Sequence, residues 1–208
     1  MVLDGRPDLA ADGVNRPTFS PDDRHLAYVM ENEGKDCVVM DGVPGPLSDD
    51  VCGQIFFSPD LKRWGCILQR QNEKQVCVDG HYGAWFQSAW GLQFSPDGSR
   101  YAYLAEVDAN WWMVVDGETG PKFKGQKGRS NILSVGEEEL PALTQPQFSP
   151  DSAHIAYAAL QGDRWGALLD NNPVGPKYER IIDGGPSFHE AGALEFLTRP
   201  SHVRRRWS

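Results

Sequence analysis

Eight aspartates stand at two recurring places in the sequence, and carboxylates in such a pattern invite a catalytic or metal-binding interpretation. One set follows Ser-Pro and comprises Asp22, Asp60, Asp97 and Asp151; the other ends an apolar run and comprises Asp41, Asp79, Asp116 and Asp170. Their repetition argues against that chemistry. A residue present in every repeat serves the repeat, most simply by accepting hydrogen bonds from turn amides. We therefore predict structural roles for all eight.

Other residues with reactive side chains lack the context that chemistry requires. No Ser/His/Asp or Cys/His set has a nucleophile motif around it, and no glycine-rich phosphate loop follows a strand and opens a helix. His25 and His154 occupy corresponding places and are predicted to be exposed repeat positions. The four cysteines are not spaced as metal ligands, and Cys37, Cys66 and Cys77 lie in apolar runs, which favours free buried thiols. We predict no catalytic residue, metal site or cofactor.

The elements that hold these residues come from an internal repeat of about 38 residues. The string Phe-Ser-Pro-Asp occurs four times, beginning at Phe19, Phe57, Phe94 and Phe148. Each copy leads to an apolar run, a polar turn and a second apolar run that ends in Asp-Gly or Asp-Asn. Ser-Pro-Asp-Gly at 95–98 suits a type I turn, and Asp-Gly tolerates the positive φ of a tight hairpin.

The apolar runs are short and rich in β-branched and aromatic residues, which is typical of strands. One repeat is therefore a four-stranded antiparallel meander that cannot bury both of its faces alone. Radial stacking lets each sheet cover its neighbour. The predicted fold class is all-β, a β-propeller with four-stranded antiparallel blades.

The two ends of the chain look like parts of one further blade. Met1–Gly5 matches the end of a third strand, and Phe188–Leu197 matches a first and second strand with a degraded turn. We predict a single domain over 1–208 with five blades, closed by pairing of the two half-blades. The segments are half-blade 1–15, blades 16–52, 53–90, 91–144 and 145–184, half-blade 185–200 and tail 201–208. A fragment of a larger propeller is the alternative, and the tail is either a third strand or loose.

The phrase Phe-Ser-Pro-Asp-Gly-Ser-Arg-Tyr-Ala-Tyr at 94–103, with Val-Val-Asp-Gly at 114–117, resembles the TolB-type, WD-like β-propeller repeat of bacterial proteins. The resemblance covers roughly residues 1 to 197 and implies a scaffold for protein or ligand binding. The same repeat forms the non-catalytic propeller of prolyl-oligopeptidase-like enzymes, but this chain has no room for their hydrolase domain. Leu61 and Asn171 depart from the pattern, since glycine is usual at both.

Two regions outside the repeat are candidates for binding. Trp85 and Trp90 lie in a non-repeated stretch and could stack on a sugar or anchor a partner, although burial between blades is the favoured interpretation. The insertion at 122–145 is either a functional loop or a tolerated surface insertion. A glycosidase-like activity needs a carboxylate pair near the axis. The residues before the first-strand aromatic residues are mostly neutral: Thr18, Phe56, Gln93, Gln147 and Ser187.

Charge and hydropathy narrow the partners further. The formal net charge of −9 argues against nucleic acid or an anionic membrane as the main partner, and Arg204–Arg206 is a short cluster at a chain end. No run approaches the length of a membrane helix, and the first residues do not form a signal peptide. We predict a cytoplasmic monomer, periplasmic if the N-terminus is truncated. Its expected function is binding an unidentified protein or peptide through the loop face or axial opening.

Overall fold

The described part of the chain folds into β-strands joined by turns and loops. The computed structural model describes residues 2–3, 6–7, 11–125, 142–179, 181–189, 194–198 and 203–207; of these it gives only the main chain for 2–3, 6–7, 52–54, 181–184, 196–198 and 203–207. The regular elements in these ranges are β-strands, which confirms the predicted all-β class. Within the same ranges, no helix has the length and apolar character needed to cross a membrane.

The strands form a short N-terminal hairpin and five sheets. The hairpin pairs β1 (Val2–Leu3) with β2 (Arg6–Pro7). Sheet one contains β3 (Gly13–Phe19), β4 (Leu26–Asn32), β5 (Lys35–Met40) and β6 (Val43–Pro44). Sheet two contains β7 (Asp50–Phe57), β8 (Trp64–Arg70), β9 (Glu73–Val78) and β10 (His81–Phe86).

Sheet three contains β11 (Ser88–Phe94), β12 (Tyr101–Val107), β13 (Asn110–Val115), β14 (Glu118–Thr119) and β15 (Phe123–Lys124). Sheet four contains β16 (Gln147–Phe148), β17 (Ile155–Gln161), β18 (Arg164–Leu169) and β19 (Asn172–Tyr178). Sheet five contains β20 (Ile181–Phe188), β21 (Leu194–Thr198) and β22 (Val203–Trp207).

Sheets one, two and four follow chain order as antiparallel meanders, and sheet three adds β15 beside β13. In these four sheets, a two-residue turn joins the third strand to the fourth. Both residues of each turn have positive φ, as a type I′ turn requires: Asp41-Gly42, Asp79-Gly80, Asp116-Gly117 and Asp170-Asn171. The predicted hairpins are therefore present, and asparagine replaces glycine at 171 because it tolerates this conformation.

The first strands of most sheets begin ahead of the predicted segment boundaries. β3, β7 and β11 start at Gly13, Asp50 and Ser88, before the boundaries at 16, 53 and 91. Each contains a β-bulge, as does β20. The bulge interrupts the apolar alternation in the sequence, and this hid the first half of each strand.

Successive sheets pack face to face because strand residues alternate between two neighbours. In β8, Cys66 and Leu68 join a core with sheet one, whereas Ile67 joins a core with sheet three. In β12, Tyr103 faces sheet two and Leu104 faces sheet four. Sheets two and three thus bury both of their faces because each lies between two neighbouring sheets, which is the arrangement of propeller blades.

The ends of the chain differ from the predicted closure. β1 pairs with β2 rather than with a C-terminal strand, and the described sheets do not join into a shared terminal blade. The position beside β21, which the N-terminal strand was expected to take, is occupied by β22 in antiparallel register. The tail therefore contributes a third strand, one of the two alternatives for 201–208, and a count of five blades is not established.

Only part of the predicted insertion at 122–145 can be described. Residues 126–141 lie outside the described ranges. On either side of them, Phe123–Lys124 forms β15, and Leu143 makes an isolated bridge to Ala159 in sheet four. The described flanks of the insertion thus lie between blades three and four.

Candidate functional site

The aspartates of the Ser-Pro-Asp turns are held inside their own turns. In blade three, the buried Ser95 Oγ donates to Asp97 Oδ1 (2.7 Å) and accepts the Arg100 N–H (3.0 Å). Asp97 Oδ1 also accepts the N–H of Ser99 at 2.9 Å. These hydrogen bonds, from the Ser99 amide first and then from the two serine hydroxyls, hold the pKa of Asp97 well below its usual range. Asp22, Asp60 and Asp151 make the same pair of bonds.

The second aspartate set ties the start of each second strand to the end of the third. Asp116 Oδ1 accepts the Tyr101 N–H and its Oδ2 accepts Arg100 Nε–H, both at 2.9 Å. Asp79 binds Trp64 N–H and Arg63 in the same way. Asp41 and Asp170 bind the strand amide likewise and a histidine ring in place of arginine. Each described turn carboxylate thus has a defined role in its own blade.

The arginines at this position also reach the following blade, a contact that the sequence did not suggest. Arg63 Nη1–H donates to the Ser99 carbonyl at 2.8 Å, and its guanidinium lies 5.7 Å from the Phe94 ring centre. Arg100 repeats both contacts one blade further on, with Ala153 and Phe148. These side chains bridge blades two to three and three to four.

Histidine replaces that arginine in blades one and four. His25 Nδ1 lies 2.7 Å from Asp41 Oδ2, and His154 Nδ1 lies 2.6 Å from Asp170 Oδ2. The hydrogen bond to the aspartate raises the pKa of each histidine. Both rings are substantially exposed, as the sequence predicted.

A second repeated contact between blades is an aromatic pair, which joins blades two and three and blades three and four but not blades one and two. Phe86 packs edge-to-face on Tyr103 of the next blade, and Phe123 packs on Tyr157, each with ring centres 6.3 Å apart. At the equivalent places between blades one and two stand Ser48 and Cys66. Among the described residues, the interface between blades one and two therefore has neither a bridge equivalent to that of Arg63 nor the aromatic pair, although Arg16 Nη1–H donates to the Val51 carbonyl across it.

The cysteines for which side chains are described behave as small apolar residues. Cys37, Cys66 and Cys77 are free and buried, as predicted; the side chain of Cys52 lies outside the described part. Cys66 and Cys77 are directly opposed on β8 and β9. Their mutual hydrogen bond, together with burial, raises the pKa of the Cys66 thiol well above its ordinary value. In the described ranges, no group of three or more His, Cys, Asp or Glu side chains could hold a metal ion.

The two candidate tryptophans have different surroundings. Trp90 packs edge-to-face on Trp111, with ring centres 4.6 Å apart, at the border of the core between blades three and four. Trp85 lies on the outer strand β10, and the Arg70 guanidinium sits 4.4 Å from its ring centre. Only Trp85 belongs to the outer edge of a blade, and its ring already carries a cation.

Tyr82 lies on the same strand as Trp85, and it leaves β10 without a proline, whereas the outer strands of blades one and four each contain proline. At the same register position, the second residue after the type I′ turn, those strands carry Pro44 and Pro173. Blade three carries Thr119, where the strand ends before Gly120-Pro121. Alignment of the four Asp-Gly and Asp-Asn turns would have found this difference in the sequence.

Successive four-stranded antiparallel sheets that pack face to face define a β-propeller fold. No protein-family model matches the chain, and no curated protein matches it. Among solved structures, it is similar to TolB from Acinetobacter baumannii, with 13% identity and a TM-score of 0.43, over 93% of this chain and 53% of TolB.

Two further solved structures are similar to this chain at the same low level. The β-propeller domain of the Trilobed protease from Pyrococcus furiosus has 10% identity and a TM-score of 0.39, over 93% of this chain and 81% of that one. A chain of a nidogen/laminin complex has 13% identity and a TM-score of 0.39, and the similarity covers 88% of this chain and 70% of that one. Similarities this low carry no inference about activity or partner.

Proposed function

We propose that this protein is a non-catalytic binding module that takes an extended peptide segment along the outer edge of β10. The observation that carries the proposal is the composition of this edge. β10, His-Tyr-Gly-Ala-Trp-Phe, has six residues without proline, acidic residue, lysine or arginine. An open edge of this kind is a template for addition of another strand.

The register of β10 with β9 determines which main-chain N–H and C=O groups of β10 point away from the sheet. The turn Asp79-Gly80 is closed by the pair Val78 and His81, and the next pair is Cys77 and Tyr82. Because antiparallel pairs alternate between hydrogen-bonded and non-hydrogen-bonded, the Tyr82 N–H and C=O point away from β9. Among the described strands, β9 is the only neighbour of β10. These groups are therefore available to an added strand.

The side chains along β10 suit an apolar peptide. Tyr82 is a large side chain that is 44% exposed. Residues three apart on a regular strand lie on opposite faces, but a register shift between Tyr82, opposite Cys77, and Trp85, opposite Gln75, places both aromatic residues on one face. Aromatic side chains are frequent anchors in protein interfaces.

The free buried thiols suit a reducing compartment, which supports the predicted cytoplasmic location.

Replacement of Tyr82 by proline tests the proposal directly. Proline removes the outward N–H, and Pro44 and Pro173 show that blades of this chain accept proline at this register. Phage-displayed random peptides selected on the wild type should lose binding to Tyr82→Pro by tenfold or more. Tyr82→Thr, which imitates Thr119 of blade three, should retain the main-chain part of the binding.

Two outcomes would contradict this function. Selected peptides could bind Tyr82→Pro as tightly as the wild type, which would remove the edge of β10 from the site. Alternatively, a glycan array could show binding that Trp85→Ala abolishes, which would favour the carbohydrate-binding alternative. Equal thermal unfolding of the variants and the wild type serves as the folding control.

A further inference from the structure

Two cysteines of blade two face each other across neighbouring strands. Cys66 on β8 is directly opposite Cys77 on β9, both thiols are free, and each residue is 1% exposed. The two thiols hydrogen-bond to each other, so their sulfur atoms are in contact. A disulfide needs Cα atoms about 4.4–6.8 Å apart, and opposed residues of an antiparallel pair lie about 4.5–5.5 Å apart. The pair therefore has the spacing that a disulfide requires.

The repeat does not account for this pair. In the other described blades, a tyrosine lies opposite an aliphatic residue at the equivalent places, and both side chains are buried. These pairs are Tyr28 with Val39, Tyr103 with Val114, and Tyr157 with Leu168. Blade two has cysteine in place of both members.

Packing explains one of these replacements but not the other. Tyr82 on β10 is opposite Cys77, and burial together with the adjacent Cys77 and Cys66 raises the pKa of Tyr82 to about 12. The Tyr82 ring therefore lies beside the thiols and supplies the aromatic group that position 66 lacks. At position 77, valine or leucine serves in the other blades, so a sulfur atom there indicates a chemical role.

The surroundings favour Cys77 as the thiol that reacts first. The hydrogen bond from Cys66 lowers the pKa of Cys77, and the thiolate is the attacking form. Among the described strands, β10 is the outermost of blade two, and weakly held outer elements open locally before the core does. Movement of Tyr82, which is 44% exposed, therefore gives a small reagent access to Cys77.

We propose that Cys66 and Cys77 are a reversible disulfide site that exchanges with low-molecular-weight disulfides, with Tyr82 as its cover. The Cys77 thiolate attacks one sulfur of the reagent, forms a mixed disulfide and releases one thiolate. The Cys66 sulfur then attacks Cys77 Sγ and releases the second thiolate, and the two thiol protons pass to the released thiolates. One protein S–S bond forms, one reagent S–S bond breaks, and two electrons pass from the protein to the reagent.

The register makes this disulfide easy to reduce again. The Asp79 N–H donates to the Trp64 carbonyl at 3.0 Å, so the alternation of antiparallel pairs makes Cys66 and Cys77 a hydrogen-bonded pair. The Cβ atoms of such a pair are about 5.5 Å apart, and a disulfide brings them to about 3.5–4.5 Å. The two strands must move together by about 1 Å. Strained disulfides are the labile ones, which is what a reversible site requires.

The test uses the purified full chain in buffers that contain oxidised and reduced glutathione. Samples are quenched with acid, free thiols are alkylated with N-ethylmaleimide, and tryptic peptides are analysed by mass spectrometry. Trypsin separates the two cysteines into peptides 64–70 and 75–100, so the disulfide appears as one linked mass. We expect this linked pair to form in the folded protein with oxidised glutathione and to disappear with excess reduced glutathione. No peptide ligand is present, so this proposal and the proposed function can fail independently.

Cys37 is the matched control for access, because it is equally buried but lies opposite Met30. Cys66 and Cys77 should become linked about tenfold faster than Cys37 is modified, since local opening of an outer strand requires less free energy than global unfolding. Equal rates would show that only the unfolded chain reacts, and would overturn the proposal. Absence of the linked pair from the folded protein would overturn it as well.

Two variants test the cover. Tyr82→Ala should raise the linkage rate, relative to the modification rate of Cys37, by about tenfold. Phe19→Ala truncates another exposed aromatic residue and should leave this ratio unchanged. Because global destabilisation accelerates both reactions, the ratio reports local access alone. An unchanged ratio in Tyr82→Ala would refute the role of Tyr82 as the cover.

Discussion

Gly98 offers a direct test of the contact between the turns of blades two and three. It has a φ of 75°, and a Cβ at this position would lie 2.7 Å from Asp60 Cγ and 3.2 Å from Ser58 Cβ. Asp60 cannot move aside freely, because it accepts hydrogen bonds from Ser58 Oγ at 2.6 Å and from the Lys62 amide at 3.2 Å. Gly98→Ala must therefore either separate the two turns or break these bonds.

The expected cost has two parts. A non-glycine residue in the left-handed region costs about 1–2 kcal/mol, and loss of a hydrogen bond to a charged group costs about 1.5–3 kcal/mol. We expect Gly98→Ala to lower the free energy of unfolding by about 2.5–5 kcal/mol. Leu61 is the matched control, because it holds the same turn position in blade two with a φ of 62°. Leu61→Gly should relieve its backbone strain without creating a contact and should not destabilise the protein.

Urea unfolding followed by tryptophan fluorescence measures both variants, and a double-mutant cycle with Asp60→Ala isolates the contact. Once the Asp60 carboxylate is absent, Gly98→Ala should cost only the backbone part, about 1–2 kcal/mol. The difference between the two backgrounds is then the contact between blades. An equal cost of Gly98→Ala in both backgrounds would refute this packing of the turns.

Three further predictions concern the repeated side-chain contacts. Arg63→Ala should destabilise the protein by about 1.5–3 kcal/mol in urea unfolding, because it breaks the bridge to blade three, whereas Lys62→Ala next to it should cost less than about 0.5 kcal/mol. Phe86→Ala should cost about 3–5 kcal/mol in thermal unfolding, and a smaller loss would contradict its packing on the next blade. The His25 ring should titrate above its ordinary pKa in NMR, and Asp41→Asn should remove the shift. Because the folded-state pKa is raised, this pair stabilises the fold fully below the ordinary histidine value, and the contribution is lost as the pH rises through the raised pKa; stability independent of pH in that interval would contradict it.

The parts of the fold that the sequence predicted are those held by contacts within one repeat. Ser95, Asp97 and Asp116 act on residues of their own blade, and such contacts leave a pattern that recurs along the chain. Type I′ turns likewise depend on two adjacent residues. Strand order within a blade followed from these local signals.

Contacts across blades could not be predicted in the same way. The bond from Arg63 to the Ser99 carbonyl requires knowledge of which sheet lies beside which and at what height. The prediction that the two half-blades pair with each other was wrong for a related reason. Val203–Trp207 contains three successive arginines and does not alternate as a half-buried strand does, yet it pairs with β21. Main-chain pairing, which has no side-chain signature, places it there.

Comparison of the blades shows that the outer edge of β10 is open although the fold can close such an edge. Pro44 and Pro173 show that this fold can close the outer edge of a blade, so the open edge at Tyr82 is not forced by the architecture. An open edge is an aggregation liability. A six-residue outer strand without proline does not recur in the described sheets one, three and four, so this edge does not serve the blade as the repeated aspartates do. A liability that the fold can avoid, present once and at the surface, supports the proposed peptide site on β10.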